Sequence, residues 1–216
     1  MSINPSGTSP ANPPIFNLPR SVIILIVINF GVFITLRLLP AAEAEGLLLS
    51  LALIPARDST FSLASVPPFL THAFTHYEGT HLLINMAFLA AVGSGVQRRL
   101  GTLRFIIFYL LCAFAGAITQ LAVTPDLNAP VIGASAAVSG LVGAIVRFAV
   151  RHDQRFMFVV LWLGVNLIFG STAPAIFDLD VSVAWEAHMG GFFVGLILFP
   201  IFDPLRQPPP SVKSGP

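Results

Sequence analysis

Leu103–Val123 carries one charged residue, Arg104, at its start, and none for the rest of its length. A helix of about 20 such residues spans the ~30 Å hydrocarbon core of a bilayer. Five further apolar runs accompany it: Ser21–Leu39, His81–Val96, Ile132–Val150, Phe156–Ser171 and Ala187–Phe202. Only 10% of residues are charged and the mean hydropathy is +0.84, against about 25% charged in a soluble domain. The chain is therefore expected to be an all-α membrane protein with six transmembrane helices. A net charge of +1 gives no reason to expect nucleic acid as a partner; the lipid bilayer is the expected surroundings.

The breaks between the runs organise the chain. Residues 1–19 are polar and rich in Ser, Asn and Pro, and are expected to be a disordered segment. Residues 20–205 form the membrane domain, and 206–216 a Pro-rich tail. The first run is too long for the apolar core of a signal peptide and has one preceding basic residue, Arg20, so it reads as a retained helix. Pro40–Thr80 holds Glu43, Glu45, Arg57, Asp58 and Glu78; its apolar piece Leu47–Ala56 is too short to cross and suits the interface. With both termini cytoplasmic, Arg20, Arg98, Arg99, Arg104, Arg147, Arg151, Arg155, Arg206 and Lys213 lie inside, and only Arg37 and Arg57 outside. The positive-inside rule selects that orientation. A six-helix core without extra spans suggests a bacterial inner membrane. Cys112, the single cysteine, sits inside an apolar run and reads as a small buried residue.

In this orientation the second, fourth and sixth helices all start at the outer side. Their first turns carry the polar residues of the membrane region: His81 and Asn85, Ser135, and His188. Polar groups in apolar helices mark function by default, although Ser and Gly also serve simple helix packing. His81 and Asn85 are i, i+4 and share one face. Ala136, Gly140 and Gly143 form a ridge of small residues, and Gly191 and Gly195 a G-x-x-x-G ridge; two such ridges let helix backbones approach closely. That approach would bring Ser135 and His188 within reach, a histidine positioned to take a serine proton. Asn85, His81 and the start of the Ser135 helix are placed to face developing negative charge.

Three stretches resemble the rhomboid family of intramembrane serine proteases. GASAAVSGLVGA (Gly133–Ala144) is similar to the family's G-x-S-G nucleophile motif. HAFTHYEGTHLLINMAFLAAVGSGVQRRLG (His72–Gly101) is similar to its H-x-x-x-N helix and the E/Q-R-x-x-G turn. AHMGGFFVG (Ala187–Gly195) is similar to its A-H-x-x-G-x-x-x-G helix. The resemblance runs from about Pro68 to Phe202. It implies a six-helix rhomboid-like bundle with Ser135 as nucleophile and His188 as general base. It further implies Asn85, His81 and the Ser135 backbone N–H as oxyanion donors. Substrates would be transmembrane segments of other membrane proteins, cut near the membrane surface, with no metal and no cofactor.

The chain departs from the family pattern in three places. Ala136 replaces the glycine after the nucleophile, which would loosen the contact between the fourth and sixth helices or alter the oxyanion pocket. Ser139 stands where an aromatic ring often packs on the catalytic histidine. No Trp-Arg pair occurs in the first outer loop. His72 and His76, i and i+4, offer two metal-type ligands, but no H-E-x-x-H is present and interfacial histidines are the preferred reading. Trp162 needs no special role, and Trp185 fits an interfacial anchor. Two alternatives stand beside the protease. One is a catalytically weak relative that binds membrane clients. The other is a histidine-using transporter or channel, which would spread its polar groups through the bilayer depth instead of gathering them at one end.

Overall fold

The computed structural model describes residues 17–59, 66–124, 128–177 and 184–204. Of the segment 1–19 expected to be disordered, residues 1–16 lie outside the described residues, as does the proline-rich tail. Ten α-helices occur among the described residues: α1 (Arg20–Leu38), α2 (Ala41–Leu51), α3 (Pro55–Asp58), α4 (Pro68–Thr71), α5 (Gly79–Phe88), α6 (Ser94–Leu100), α7 (Thr102–Val123), α8 (Ser135–Ala149), α9 (Arg155–Phe177) and α10 (Trp185–Phe202). A π turn, Leu89–Gly93, joins α5 to α6 into one rod. Among the described residues the sole β-type pairing is an isolated bridge between Leu53 and Val131. The all-α membrane bundle expected from the sequence is the fold observed.

Arg20–Leu38, Gly79–Leu100, Thr102–Val123 and Trp185–Phe202 are each long and apolar enough to cross a membrane. Many of their large apolar side chains face outward, among them Ile24, Val27, Leu83, Ile84, Leu103 and Ile197. Such a surface would be an interaction patch in water; in a bilayer it meets lipid. α9 has 23 residues, whereas α8 has 15. At 1.5 Å per residue α8 is ~22 Å long, short of the ~30 Å core, so one of its ends lies within the bilayer depth.

α8 is the central helix. Nine of its 15 residues, including Ala136, Ala137, Ser139, Gly140 and Gly143, are buried. It packs most extensively on α10, and both pack on α7. The contact is backbone to backbone. A Cβ on Gly191 would run into the carbonyl of Ala136, one on Gly195 into the carbonyl of Gly140, and one on Gly143 into the carbonyl of Phe192. The two ridges of small residues thus face each other, as the spacing suggested. Cys112 is buried against Gly140. Towards the other end the core turns aromatic: Phe148 stacks on Phe199, and Phe108 packs edge-on against Phe199 and Phe202.

That end also carries the basic residues. Arg99 pairs with Asp203 at 2.9 Å and lies over the Phe148 ring. With Arg147 and Arg155 they line a cavity of about 260 Å³. Gly101, at φ 77°, makes the reversal between α6 and α7, a conformation that favours glycine. It is the glycine of the E/Q-R-x-x-G-like turn.

Helix boundaries differ from expectation: α9 runs to Phe177 instead of Ser171, the α5–α6 rod runs to Leu100 instead of Val96, and α8 starts late. The sequence suggested a start at Ile132, but the helix begins at Ser135. Val131 instead pairs with Leu53 through two backbone hydrogen bonds of 2.8 and 3.1 Å. Val131–Ala134 is a loop laid against the segment between α1 and α5. That segment is tied internally by Arg57, whose guanidinium meets Asp58 at 2.7 Å and the carbonyls of Leu49 and Ala52. Asp58 also accepts the Ile54 N–H at 2.8 Å.

Candidate active site

Ser135 is the first residue of α8. The first N–H groups of a helix have no intrahelical acceptor and sit at its positive end. Gly133, two residues earlier, has φ 117°, a region that L side chains rarely adopt. A Cβ there would lie 2.7 Å from His81 Cε1, 2.9 Å from His81 Nε2 and 3.7 Å from Ser135 Oγ. The His81 ring and the Ser135 hydroxyl therefore flank the same open face of Gly133. A side chain at this position would be strained and would also fill the space between them.

His188 lies in the first turn of α10. The residues next to Ser135 and His188 meet on one glycine: a Cβ at Gly116 of α7 would contact both the Ala136 methyl, at 2.5 Å, and the Ala187 carbonyl, at 2.8 Å. Ser135 and His188 are thus carried at one level of the bundle. This geometry also answers the first departure. The Ala136 methyl points to Gly116 of α7, where the missing side chain makes room, and does not wedge α8 from α10.

Asn85 is buried, and its Nδ2 donates to the His81 carbonyl at 3.0 Å. One hydrogen of the amide is committed to its own helix, which holds the group on the His81 face. Arg37 of α1 donates to the Tyr77 carbonyl at 2.5 Å and so tethers the turn that leads into α5.

His72 and His76 support the loop before Ser135. The His72 carbonyl accepts the Gly133 N–H at 2.9 Å, and its ring Nδ1 bonds to the Pro68 carbonyl at 2.9 Å. The Ala134 N–H donates to His76 Nε2 at 3.4 Å, and the His76 ring meets His81 edge-on with centroids 5.0 Å apart. Both rings are 1% exposed. Burial pushes His72 down to about 4, its backbone hydrogen bonds opposing. Burial, and then the neighbouring His81, push His76 down to about 3. Both are neutral in the folded state at pH 7, which lets His76 Nε2 accept.

A pH dependence follows from these values. The unfolded chain protonates both histidines near their ordinary 6.5, while the folded protein resists. Protons then favour the unfolded state, so stability present above pH 6.5 is lost as pH falls towards 4. Thermal melting in detergent should show a plateau above pH 7 and a steady fall below 6.5. His76→Gln, which keeps an acceptor for Ala134 without titrating, should reduce the slope.

Two polar residues that the sequence reading passed over belong to the site. Gln120 of α7 is buried, and its Oε1 accepts the Ala187 N–H at 3.1 Å, which caps the first turn of α10 beside His188. Asn166 of α9 shares a 2.9 Å hydrogen bond with His188 Nδ1. One turn further along, Trp162 of α9 stacks on Phe192 of α10, with centroids 4.0 Å apart and planes 10° from parallel. A hydrogen-bond partner for His188 therefore comes from α9, not from the Ser139 position of α8. The available signal was a polar residue in an apolar helix; nothing in the sequence named its partner.

The apolar bundle and the polar cluster at one end of it define an integral membrane protein with a site inside the helical core. A family model of the Rhomboid domain matches residues 64–203. Relatives include the rhomboid protease GluP of Bacillus subtilis (strain 168), 31% identical over 134 residues, covering 60% of this chain and 25% of that protein. RHOMBOID-like protein 4 of Arabidopsis thaliana is 31% identical over 126 residues, covering 55% of this chain and 29% of that one. The rhomboid protease GlpG of Yersinia pestis (strain Pestoides F) is 27% identical over 140 residues, covering 60% and 46%. The chain spans between a quarter and a half of the length of these relatives. It belongs to the rhomboid family.

Proposed function

We propose that this protein is an intramembrane serine endopeptidase that cleaves transmembrane segments of other membrane proteins. Ser135 attacks the scissile carbonyl, and His188 takes the serine proton and later delivers it to the leaving amine. The observation that carries the reading is the backbone contact of Gly191 with Ala136 and of Gly195 with Gly140, which brings the starts of α8 and α10 together. The Ser135 N–H, His81 and the second hydrogen of the Asn85 amide serve the oxyanion. Arg99, Arg147 and Arg155 gather at the end of the bundle away from this cluster, which under the positive-inside rule supports a site towards the outer face with the termini cytoplasmic. Cleavage accordingly falls near the outer membrane surface.

The direct test is cleavage of a single-span substrate by protein reconstituted in liposomes, with Ser135→Ala as control. Asn85→Ala provides a graded version. Loss of one oxyanion donor costs ~3 kcal/mol, roughly a hundredfold in turnover. The Ser135 N–H remains, so measurable activity should persist with KM little changed, and His81→Ala should behave alike. An unchanged kcat in both variants would remove these side chains from the oxyanion role.

A further inference from the structure

We infer that Asn166 is a positioning residue that fixes the tautomer and orientation of His188. The inference rests on the Ser135–His188 reading above.

Two hydrogen bonds decide the orientation of the Asn166 amide. Its Nδ2 donates to the Trp162 carbonyl at 2.9 Å, the acceptor one turn back on the same helix. A flipped amide would set two acceptor oxygens against each other. The group that faces His188 Nδ1 at 2.9 Å is therefore Oδ1, which can only accept. Nδ1 must then carry the ring proton, and the lone pair sits on Nε2. A base that takes a proton from Ser135 needs that tautomer, and the residue bonded to the opposite nitrogen selects it.

The side chain is also held in place. Its bond to Trp162 locks the amide along α9, and Trp162 itself is stacked on Phe192 one turn from His188. Among the described residues the α9–α10 contact includes two rungs, one aromatic and one polar, four residues apart on each helix. The aromatic rung provides packing. The polar rung does something packing cannot: it distinguishes the two ring nitrogens of His188.

The test compares Asn166→Leu, which keeps volume and apolar packing but removes the acceptor, with Asn166→Asp, which in either protonation state still offers an oxygen to Nδ1–H. Both are assayed in liposomes beside wild type and Ser135→Ala. Asn166→Leu should lower kcat roughly ten- to a hundredfold, with KM within about twofold and melting near wild type. Asn166→Asp should recover most of the loss. In ¹⁵N spectra of His-labelled protein, the Nδ1–H form of His188 should dominate in wild type and lose that dominance in Asn166→Leu. Wild-type turnover by Asn166→Leu, with Ser135→Ala inactive, overturns this inference and leaves the serine mechanism standing. It is equally overturned if Asn166→Asp performs no better than Asn166→Leu while both melt lower in step. Cleavage by Ser135→Ala would instead remove the mechanism on which the inference rests.

Discussion

Ser135→Ala and His188→Ala should each reduce cleavage to background, a loss of roughly a thousandfold or more, while the protein still inserts and melts normally. The α8–α10 contact does not depend on either side chain: it is made by backbone, where Gly191 meets Ala136 and Gly195 meets Gly140. The double variant should be no worse than either single one, because a nucleophile without its base and a base without its nucleophile are equally idle. A fluorophosphonate probe, which bonds to a serine oxygen and expels fluoride, should label wild type and fail on Ser135→Ala. Labelling of Ser135→Ala would point to Ser139, one turn along α8 and 8% exposed, as the nucleophile.

The helices and their order were legible because hydropathy over a span is additive and needs no tertiary information. The candidate residues His81, Asn85, Ser135 and His188 were legible for a related reason: a polar side chain in an apolar helix is conspicuous wherever it folds. Asn166 and Gln120 were equally conspicuous, yet their meaning lay in partners 22 and 67 residues away. Only the rotation of α9 and α7 against α10 decides that these amides meet His188 and Ala187. The start of α8 was illegible in another way. Ile132, Gly133 and Ala134 suit the interior of a helix as well as a loop; what ends the helix at Ser135 is the pairing of Val131 with Leu53 and of Gly133 and Ala134 with His72 and His76.

The departures from the family pattern illustrate the same limit. Ala136 read alone is an extra methyl at a crowded helix crossing. In the bundle it is half of a pair, and the other half, Gly116, lies on a different helix. Ser139 read alone is a lost aromatic support. In the bundle, Asn166 of α9 gives His188 a hydrogen bond, and Trp162 stacks on Phe192 one turn away on α10. A single position cannot disclose compensation of this kind, because the compensating residue is adjacent only after packing.

Gly195→Val should abolish activity without altering any group that touches substrate. A Cβ at Gly195 would run into the Gly140 carbonyl, carbon and Cα together. These are backbone atoms of a buried helix, which cannot swing aside as a side chain would, so α8 and α10 must separate. Overpacking a core costs about 1–3 kcal/mol and sometimes more; with backbone as the obstacle the upper end is expected, a fall in Tm of roughly 10 °C. The catalytic cost is larger. Ser135 and His188 ride on the two helices being forced apart, and a displacement of ~1 Å in a reacting pair costs about a hundredfold. Added to the loss of folded protein, this should bring cleavage to background. Gly31 of α1 has nothing within 4 Å of an added Cβ, so Gly31→Val places the same side chain in a membrane helix without a clash. It should melt and cleave as wild type does. Equal behaviour of the two valine variants would mean that the approach of α8 and α10 does not set the geometry of the site.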